Sequence, residues 1–174
     1  MTQTLPIAAI VYTVRGAADG PMIALARELG ERGLRVRGLV QQETRDGAGG
    51  TRRMMLTDLE SGGRFDISQK LGASSGSSCV DPGVLAAASA VLRRALAERA
   101  DLVIVSRFGE LEAGGSGFSA EMLELMSEGV PLLTAVGTRF LESWRRFTGG
   151  AATELPPDLE SLRSWSAVLG RAEG

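Results

Sequence analysis

Short apolar runs recur along the chain and are separated by longer stretches with helical periodicity. Four runs have the length and composition of strands that are buried on both faces. They cover residues 5–11, 34–40, 102–105 and 130–136. A run of this kind followed by a helix and a second run is typical of a parallel strand pair with a crossover helix.

Apolar residues spaced three and four positions apart predict helices between and after these runs. The first begins at Pro21 and carries Met22, Leu25, Ala26 and Leu29 on one face. Further helices are predicted to begin at Asp81, Ser119, Thr138 and Asp158, with Asp81 and Ser119 as N-caps. Two segments between glycine-rich turns, residues 51–57 and 64–67, predict antiparallel hairpin strands.

These elements together predict an α/β fold in one domain, residues 1–174. We expect three layers: a mainly parallel sheet with helices on both faces, plus an antiparallel hairpin insertion. A chain of 174 residues with 44% hydrophobic residues is long enough to bury one core and short for two.

Composition narrows the possible functions. The net charge of −2 gives no reason to expect a nucleic-acid partner. No apolar run is long enough to cross a bilayer and no signal-peptide pattern stands at residues 1–10, so we expect no membrane partner and a cytoplasmic location. Without histidine, and with Cys79 as the one cysteine, the chain cannot form His-based catalytic triads or the usual zinc sites. We therefore predict no metal site, and the catalytic residues, if there are any, stay unknown.

The loop after the first strand is the first candidate ligand site, because ligands of open α/β sheets bind at the carboxyl ends of the strands. It contains Arg15, Gly16, Asp19 and Gly20. A working P-loop has a lysine and a hydroxyl residue at the start of the following helix. Counted back from Leu29, these places fall near Ala18 and Asp19, so the Walker A pattern is degenerate. The loop is either a plain connection or an anion site at a helix N-terminus.

The segment after the strand at residues 102–105 is the second candidate. A Walker B site would place acidic residues there, whereas this chain has Ser106 and Arg107, with Glu110 and Glu112 further on. Arg107 is either a ligand for an anion or the partner of Glu110 or Glu112 in an ion pair. Ser106, Arg107 and Glu112 are the candidate ligand-binding residues of this segment.

A loop rich in serine and glycine is the third candidate. Gln69, Cys79 and Asp81 are its possible contributions to a site. A cysteine before a helix N-terminus can have a lowered pKa, although a lone cysteine is more often an inert apolar residue.

The order of these motifs resembles a bacterial family of unknown function whose members are often labelled nucleoside-triphosphatase-like or molybdenum-transport-associated. The resemblance is carried by residues 11–20, 38–41, 66–72, 79–82, 100–112 and 130–136. Members of that family tend to have Asn-Lys-Phe-Gly-Lys-x-Glu after the central strand, where this chain has Ser-Arg-Phe-Gly-Glu-Leu-Glu. The layout is also distantly similar to the small cancer-related nucleoside triphosphatases, whose Asp-Glu-Ile-Gly-Lys-Met-Glu segment matches here only at Gly109 and Glu112.

The resemblance implies a P-loop-NTPase-like fold and an accessory role in molybdenum metabolism. The residues then leave three interpretations open. The leading one is binding of a nucleotide or small oxyanion with little or no hydrolysis. A nucleoside triphosphate hydrolase with a non-standard site, in which Arg15 and Arg107 replace the lysine, is the second. The third is a non-catalytic module that binds another protein. No cofactor follows from any of them, beyond the nucleotide or oxyanion itself.

Overall fold

A computed structural model describes residues 6–45, 52–67, 82–167 and 169. Its strands form one sheet in the order β4-β3-β2-β5-β6-β1-β7. Strands β7, β1, β6, β5 and β2 are parallel, and β3 and β4 continue the sheet beyond β2 as antiparallel strands. The strands are Ile7–Tyr12 (β1), Val36–Arg45 (β2), Arg52–Asp58 (β3), Arg64–Asp66 (β4), Leu102–Ile104 (β5), Leu132–Gly137 (β6) and Thr153–Leu155 (β7).

Helices connect most of these strands. They are Asp19–Glu31 (α1), Pro82–Ala97 (α2), Glu110–Ala113 (α3), Ser119–Ser127 (α4), Leu141–Thr148 (α5) and Leu159–Ser166 (α6), and the 3-10 turn Thr138–Phe140 precedes α5. Asp158 caps α6, since its carboxylate accepts a hydrogen bond of 2.7 Å from the N–H of Ser161. None of the described helices is both long and apolar enough to span a membrane.

Each face of the sheet buries its own apolar layer, because successive strand residues point to opposite faces. On one face Ala8 and Ile10 pack in a cluster with residues of α1 and α6, including Leu25 and Leu162. On the other, Ala9 belongs to a cluster with α2, α4 and α5. Burial of each leucine-sized side chain contributes roughly 1.5–3 kcal/mol, so both helix layers are held mainly by apolar contact.

The predicted fold class is confirmed: the four apolar runs lie in one sheet, the hairpin is antiparallel, and helices cover both faces. Two local predictions need correction, and two elements were missed. Ser119 is not the N-cap of α4 but its first helical residue, and Phe118 holds the cap position without a side-chain hydrogen bond. The helix predicted at residues 138–147 begins as a 3-10 turn. Strand β7 and helix α3 were not predicted at all.

Candidate functional site

The loops after β1 and β5 approach each other at the carboxyl edge of the sheet. Strand β6 lies between β1 and β5, so the two loops are separated by one strand. Phe108 returns to the sheet beyond β5 and forms a parallel bridge with Val136 of β6. This bridge fixes the segment that carries Ser106 and Arg107 beside the loop that carries Arg15.

The loop after β1 is a pair of tight turns that lead into α1. The N–H of Ala17 donates to the carbonyl of Val14 at 3.1 Å, and the N–H of Asp19 donates to that of Gly16 at 3.2 Å. Gly16 has φ +84°, a left-handed conformation that glycine adopts without steric cost. Ala18 is buried at the N-cap of α1 and Asp19 is its first helical residue.

A cleft of about 460 Å³, counted with its open mouth, lies between the two loops. We call it the inner cleft. Five residues predicted from the sequence line it: Arg15, Gly16, Asp19, Ser106 and Arg107. The other described residues of the lining are Tyr12, Ala18, Gln41, Met54 and Ala135.

The remaining predicted site residues have other positions. Gly20 lies exposed in the first turn of α1 and does not line the inner cleft. Glu112 lines an adjoining cleft together with Ser106 and Arg107. Gln69, Cys79 and Asp81 lie outside the described residues. The structure therefore brings the first two predicted segments, the loops after β1 and β5, to one site. The contribution of the third, the loop rich in serine and glycine, stays a prediction.

Arg15 and Arg107 are the positively charged side chains among the described residues that line the inner cleft. Both are exposed, and neither has an ion-pair partner within the described part of the chain. In particular, Arg107 forms no ion pair with Glu110 or Glu112 within that part of the chain, so this alternative does not hold there. The guanidinium groups are thus open to a ligand that carries negative charge.

Glu112 has a structural position inside α3. Its two carboxylate oxygens accept hydrogen bonds from the N–H groups of Gly109 at 2.9 Å and Phe118 at 3.0 Å. The side chain is buried, and α3 is only four residues long. One carboxylate therefore joins the start of α3 to the start of α4, and a contact with ligand stays a prediction.

Two polar side chains face the inner cleft from positions that are almost fully buried. Ser106 is 4% exposed and Gln41 is 9% exposed. Within the described residues Ser106 forms no side-chain hydrogen bond, and Gln41 has only a 4.0 Å contact from Nε2 to the sulfur of Met54. Sequence reasoning missed Gln41; its signal is a polar residue directly after the apolar run of β2.

Among the described residues, no group of His, Cys, Asp or Glu side chains could hold a metal ion. In the described lining of the inner cleft, Asp19 carries a negative charge, while arginine, serine, glutamine and tyrosine side chains offer positive charge and hydrogen bonds. These groups can bind and orient an anion.

Comparison with known proteins identifies the family. A model described as "Protein of unknown function (DUF2478)" matches residues 7–165. The molybdenum import ATP-binding protein ModC 2 of Bradyrhizobium diazoefficiens is 33% identical over 159 residues, which are 91% of this chain and 18% of that protein. This chain thus spans about a fifth of the length of that curated relative.

A solved structure supports the fold. The crystal structure of THEP1 from the hyperthermophile Aquifex aeolicus superposes with a TM-score of 0.62 and 19% identity, over 97% of this chain and 100% of that one. The fold is therefore the P-loop-NTPase-like α/β fold predicted from the sequence. Because the family model matches residues 7–165, almost the whole chain, this protein belongs to the DUF2478 family.

Proposed function

We propose that this protein binds a small anion in the inner cleft, either the phosphate group of a nucleotide or a free oxyanion, with little or no hydrolysis. The observation that carries the proposal is the position of Arg15 and Arg107. Both line one cleft at the carboxyl edge of the sheet, and neither forms an ion pair within the described residues.

The chemistry of the cleft favours a phosphate-like group. A guanidinium holds a tetrahedral oxyanion with paired, charge-assisted hydrogen bonds. The hydroxyl of Ser106 can donate a further one. The positive end of the α1 dipole is at the same edge, since α1 begins at Asp19. Asp19 opposes an anion, and its carboxylate lies near Gly16 at the other end of the turn.

A nucleotide is supported as ligand by the P-loop-NTPase-like fold and by the words "ATP-binding" in the name of the ModC 2 relative. The lack of hydrolysis is supported by the residue types. Ala18 and Asp19 stand where a P-loop has its lysine and hydroxyl, and Ser106 stands near the place of the metal-binding acid. The Walker sites are degenerate in this proposal.

An accessory role in molybdenum metabolism is the finer part of the proposal. It is supported by the words "molybdenum import" in the name of the same relative. Molybdate is itself a tetrahedral dianion, so the two arginines suit it as well as they suit phosphate. Molybdate therefore belongs among the ligands to be tested.

A thermal-shift screen of the purified protein tests the proposal. The ligands are phosphate, sulfate, molybdate, ADP, ATP and GTP, each without and with Mg²⁺. A ligand at about 100 times its Kd should stabilise the fold by about 2.7 kcal/mol, which is readily seen as a rise in Tm. The variants Arg15→Ala and Arg107→Ala should lose that rise.

Arg93→Ala is the matched control, because Arg93 is an exposed arginine of α2 that does not line the cleft. It should keep the full shift. Unliganded Tm values of all three variants should stay near that of the parent protein, since the substituted side chains are exposed. Full shifts in both the Arg15 and Arg107 variants would refute the proposal, as would the absence of any shift in the parent protein.

A further inference from the structure

Arg15 and Arg107 also line a second cleft. This outer cleft encloses about 970 Å³, counted with its open mouth. It shares Tyr12, Arg15 and Arg107 with the inner cleft. Its other described lining residues belong to the segments after β1 and β5 and to the end of β6 with the turn that follows, which includes Arg139. The two arginines thus contribute to both clefts.

Arg139 is brought to this edge by the strand order. It lies in the 3-10 turn Thr138–Phe140 directly after β6, and β6 separates β1 from β5. Loops that follow three adjacent parallel strands open on the same edge. Arg139 is exposed and has no ion-pair partner among the described residues.

The guanidinium of Arg139 is also oriented. Its central carbon lies 4.9 Å from the centroid of the Phe140 ring, a cation–π contact that favours one arrangement of a long side chain. An arginine that is already held loses less conformational entropy when it binds a ligand. Arg139 is therefore better prepared to bind an anion than an arginine that extends freely into solvent.

The charge of the outer cleft contrasts with that of the chain. Arg15, Arg107 and Arg139 line it, and Glu110 is the one acidic side chain among the described lining residues. The chain as a whole carries a net charge of −2. A positive cleft in an acidic protein concentrates anions locally and repels them elsewhere.

Tyr12 stands at the junction of the two clefts. Its ring lies against Gly137, where an added Cβ would be 3.5 Å from the ring and hydroxyl atoms. The half-buried hydroxyl makes no hydrogen bond within the described residues. It can donate to an atom that passes from one cleft to the other.

We propose that the ligand carries two linked anionic groups, one between Arg15 and Arg107 in the inner cleft and the other on Arg139 in the outer cleft. A diphosphate or triphosphate chain then binds more tightly than one tetrahedral oxyanion. This inference rests on the proposed function, because the first of the two positions is the same. In this proposal Arg139 is the residue that distinguishes a diphosphate or triphosphate chain from a single tetrahedral oxyanion.

Isothermal titration calorimetry with inorganic pyrophosphate and with orthophosphate, both in EDTA, tests this assignment. The parent protein should bind pyrophosphate about tenfold more tightly or better, the effect expected of one additional charge-assisted contact. Arg139→Ala should remove most of that preference and leave the Kd of orthophosphate unchanged. Arg139→Gln, which keeps most of the length of the side chain, should have the same effect on both ligands. It serves as a second variant in case Arg139→Ala disturbs the fold.

Arg146→Ala is the control for charge alone. Arg146 belongs to the neighbouring helix α5, its side chain is 81% exposed, and it lies 3.9 Å from Glu142. Both ligands should bind this variant as they bind the parent protein. An equal loss of pyrophosphate affinity in the Arg146 and Arg139 variants would mean a general charge effect and would overturn the inference.

The remaining outcomes separate the two proposals. If orthophosphate binds, Arg107→Ala abolishes its binding, and pyrophosphate binds no more tightly, the proposed function stands and the second anionic position is wrong. If pyrophosphate is preferred but Arg139→Ala and Arg139→Gln keep the preference, Arg139 does not form that position. If neither ligand binds the parent protein, both proposals fail.

Discussion

Gly38 of β2 and Ile104 of β5 pack backbone against backbone. A Cβ built on Gly38 would overlap the carbonyl oxygen of Ile104 and would lie 2.8 Å from its nitrogen. Gly38 also has φ +118°, which L side chains rarely adopt. The β2–β5 register covers only three residue pairs, and Gly38 opposite Ile104 is the last of them. This contact therefore helps to join β2, which carries Gln41 and the antiparallel strands β3 and β4, to the parallel strand β5.

Gly38→Ala should destabilise the protein by about 3 kcal/mol or more, because backbone strain and overlap act together. Urea unfolding followed by tryptophan fluorescence measures the loss. Gly30→Ala is the control: Gly30 lies in α1 with no atom within 4 Å of an added Cβ. That change should be neutral or stabilising, by up to about 1 kcal/mol. Equal effects of the two changes would contradict the close packing.

Glu112→Ala should destabilise the fold by roughly 2–4 kcal/mol, since the buried N–H groups of Gly109 and Phe118 lose a shared acceptor. Glu112→Gln keeps one carbonyl oxygen and should cost about half as much. Glu110→Ala, at an exposed position of the same short helix, should change the free energy of unfolding by less than about 0.5 kcal/mol. Chemical denaturation measures the free energy of unfolding of the three variants. A large loss for Glu110→Ala would contradict the assignment of this stabilisation to Glu112.

The pair between Glu28 of α1 and Arg163 of α6 should give a pH-dependent contribution to stability. Arg163 donates two hydrogen bonds, of 2.8 and 2.7 Å, to the carboxylate and holds the pKa of Glu28 below its ordinary 4.5. A carboxyl group whose pKa is lowered in the folded state stabilises the folded protein at pH values above its unfolded pKa. This stabilisation is lost as the pH falls through the lowered pKa.

Glu28→Gln should therefore lower the unfolding free energy at neutral pH, and the difference from the parent protein should vanish on acidification below 4.5. Unfolding curves at a series of pH values measure it. Glu142→Gln is the control, because Glu142 lies 3.9 Å from Arg146 and both side chains are more than 80% exposed. A pH-independent difference for Glu28→Gln would be inconsistent with this assignment.

Hydrolysis of ATP or GTP in the presence of Mg²⁺ should be absent or very slow. Ala18, Asp19 and Ser106 offer neither the phosphate-binding lysine nor the metal-binding acid of the usual mechanism. Phosphate release by protein purified over two independent columns measures the rate. Turnover of about one per second that follows the protein peak and is lost in Arg107→Ala would instead favour the hydrolase interpretation.

Much of the fold could be read from the sequence, because its signals are local. The buried strands are short apolar runs, and α1 buries the predicted face with Met22, Leu25, Ala26 and Leu29. Strand β7 has no such signal: it is three residues long, and none of its residues is buried. It forms because β1 offers a free edge. Helix α3 is only four residues long, too short for a periodic pattern, and Glu112 accepts hydrogen bonds from the N–H groups of Gly109 and Phe118.

Only one rule predicted the candidate site from the sequence: ligands of open α/β sheets bind at the carboxyl ends of the strands. Arg15 and Arg107 could be proposed because each follows a buried strand. Gln41 also follows an apolar run, but its burial beside Met54 depends on the pairing with β3, which the sequence does not show. Arg139 likewise follows an apolar run, but the sequence does not say that β6 lies between β1 and β5, the order that brings Arg139 to the same edge as Arg15 and Arg107. Both residues depend on strand order, which is a property of the whole chain.

The position of β1 affects how the chain folds during synthesis. Its partners are β6 and β7, the last two strands, and residues 13–131 separate it from the first of them. While the ribosome makes this stretch, an almost wholly apolar strand has neither neighbour available, and closing so long a loop carries an entropic cost. Contacts of such high sequence separation slow folding. The first strand of the chain is therefore among the last to complete its pairing, and any fragment that ends before residue 132 leaves both of its edges open to aggregation.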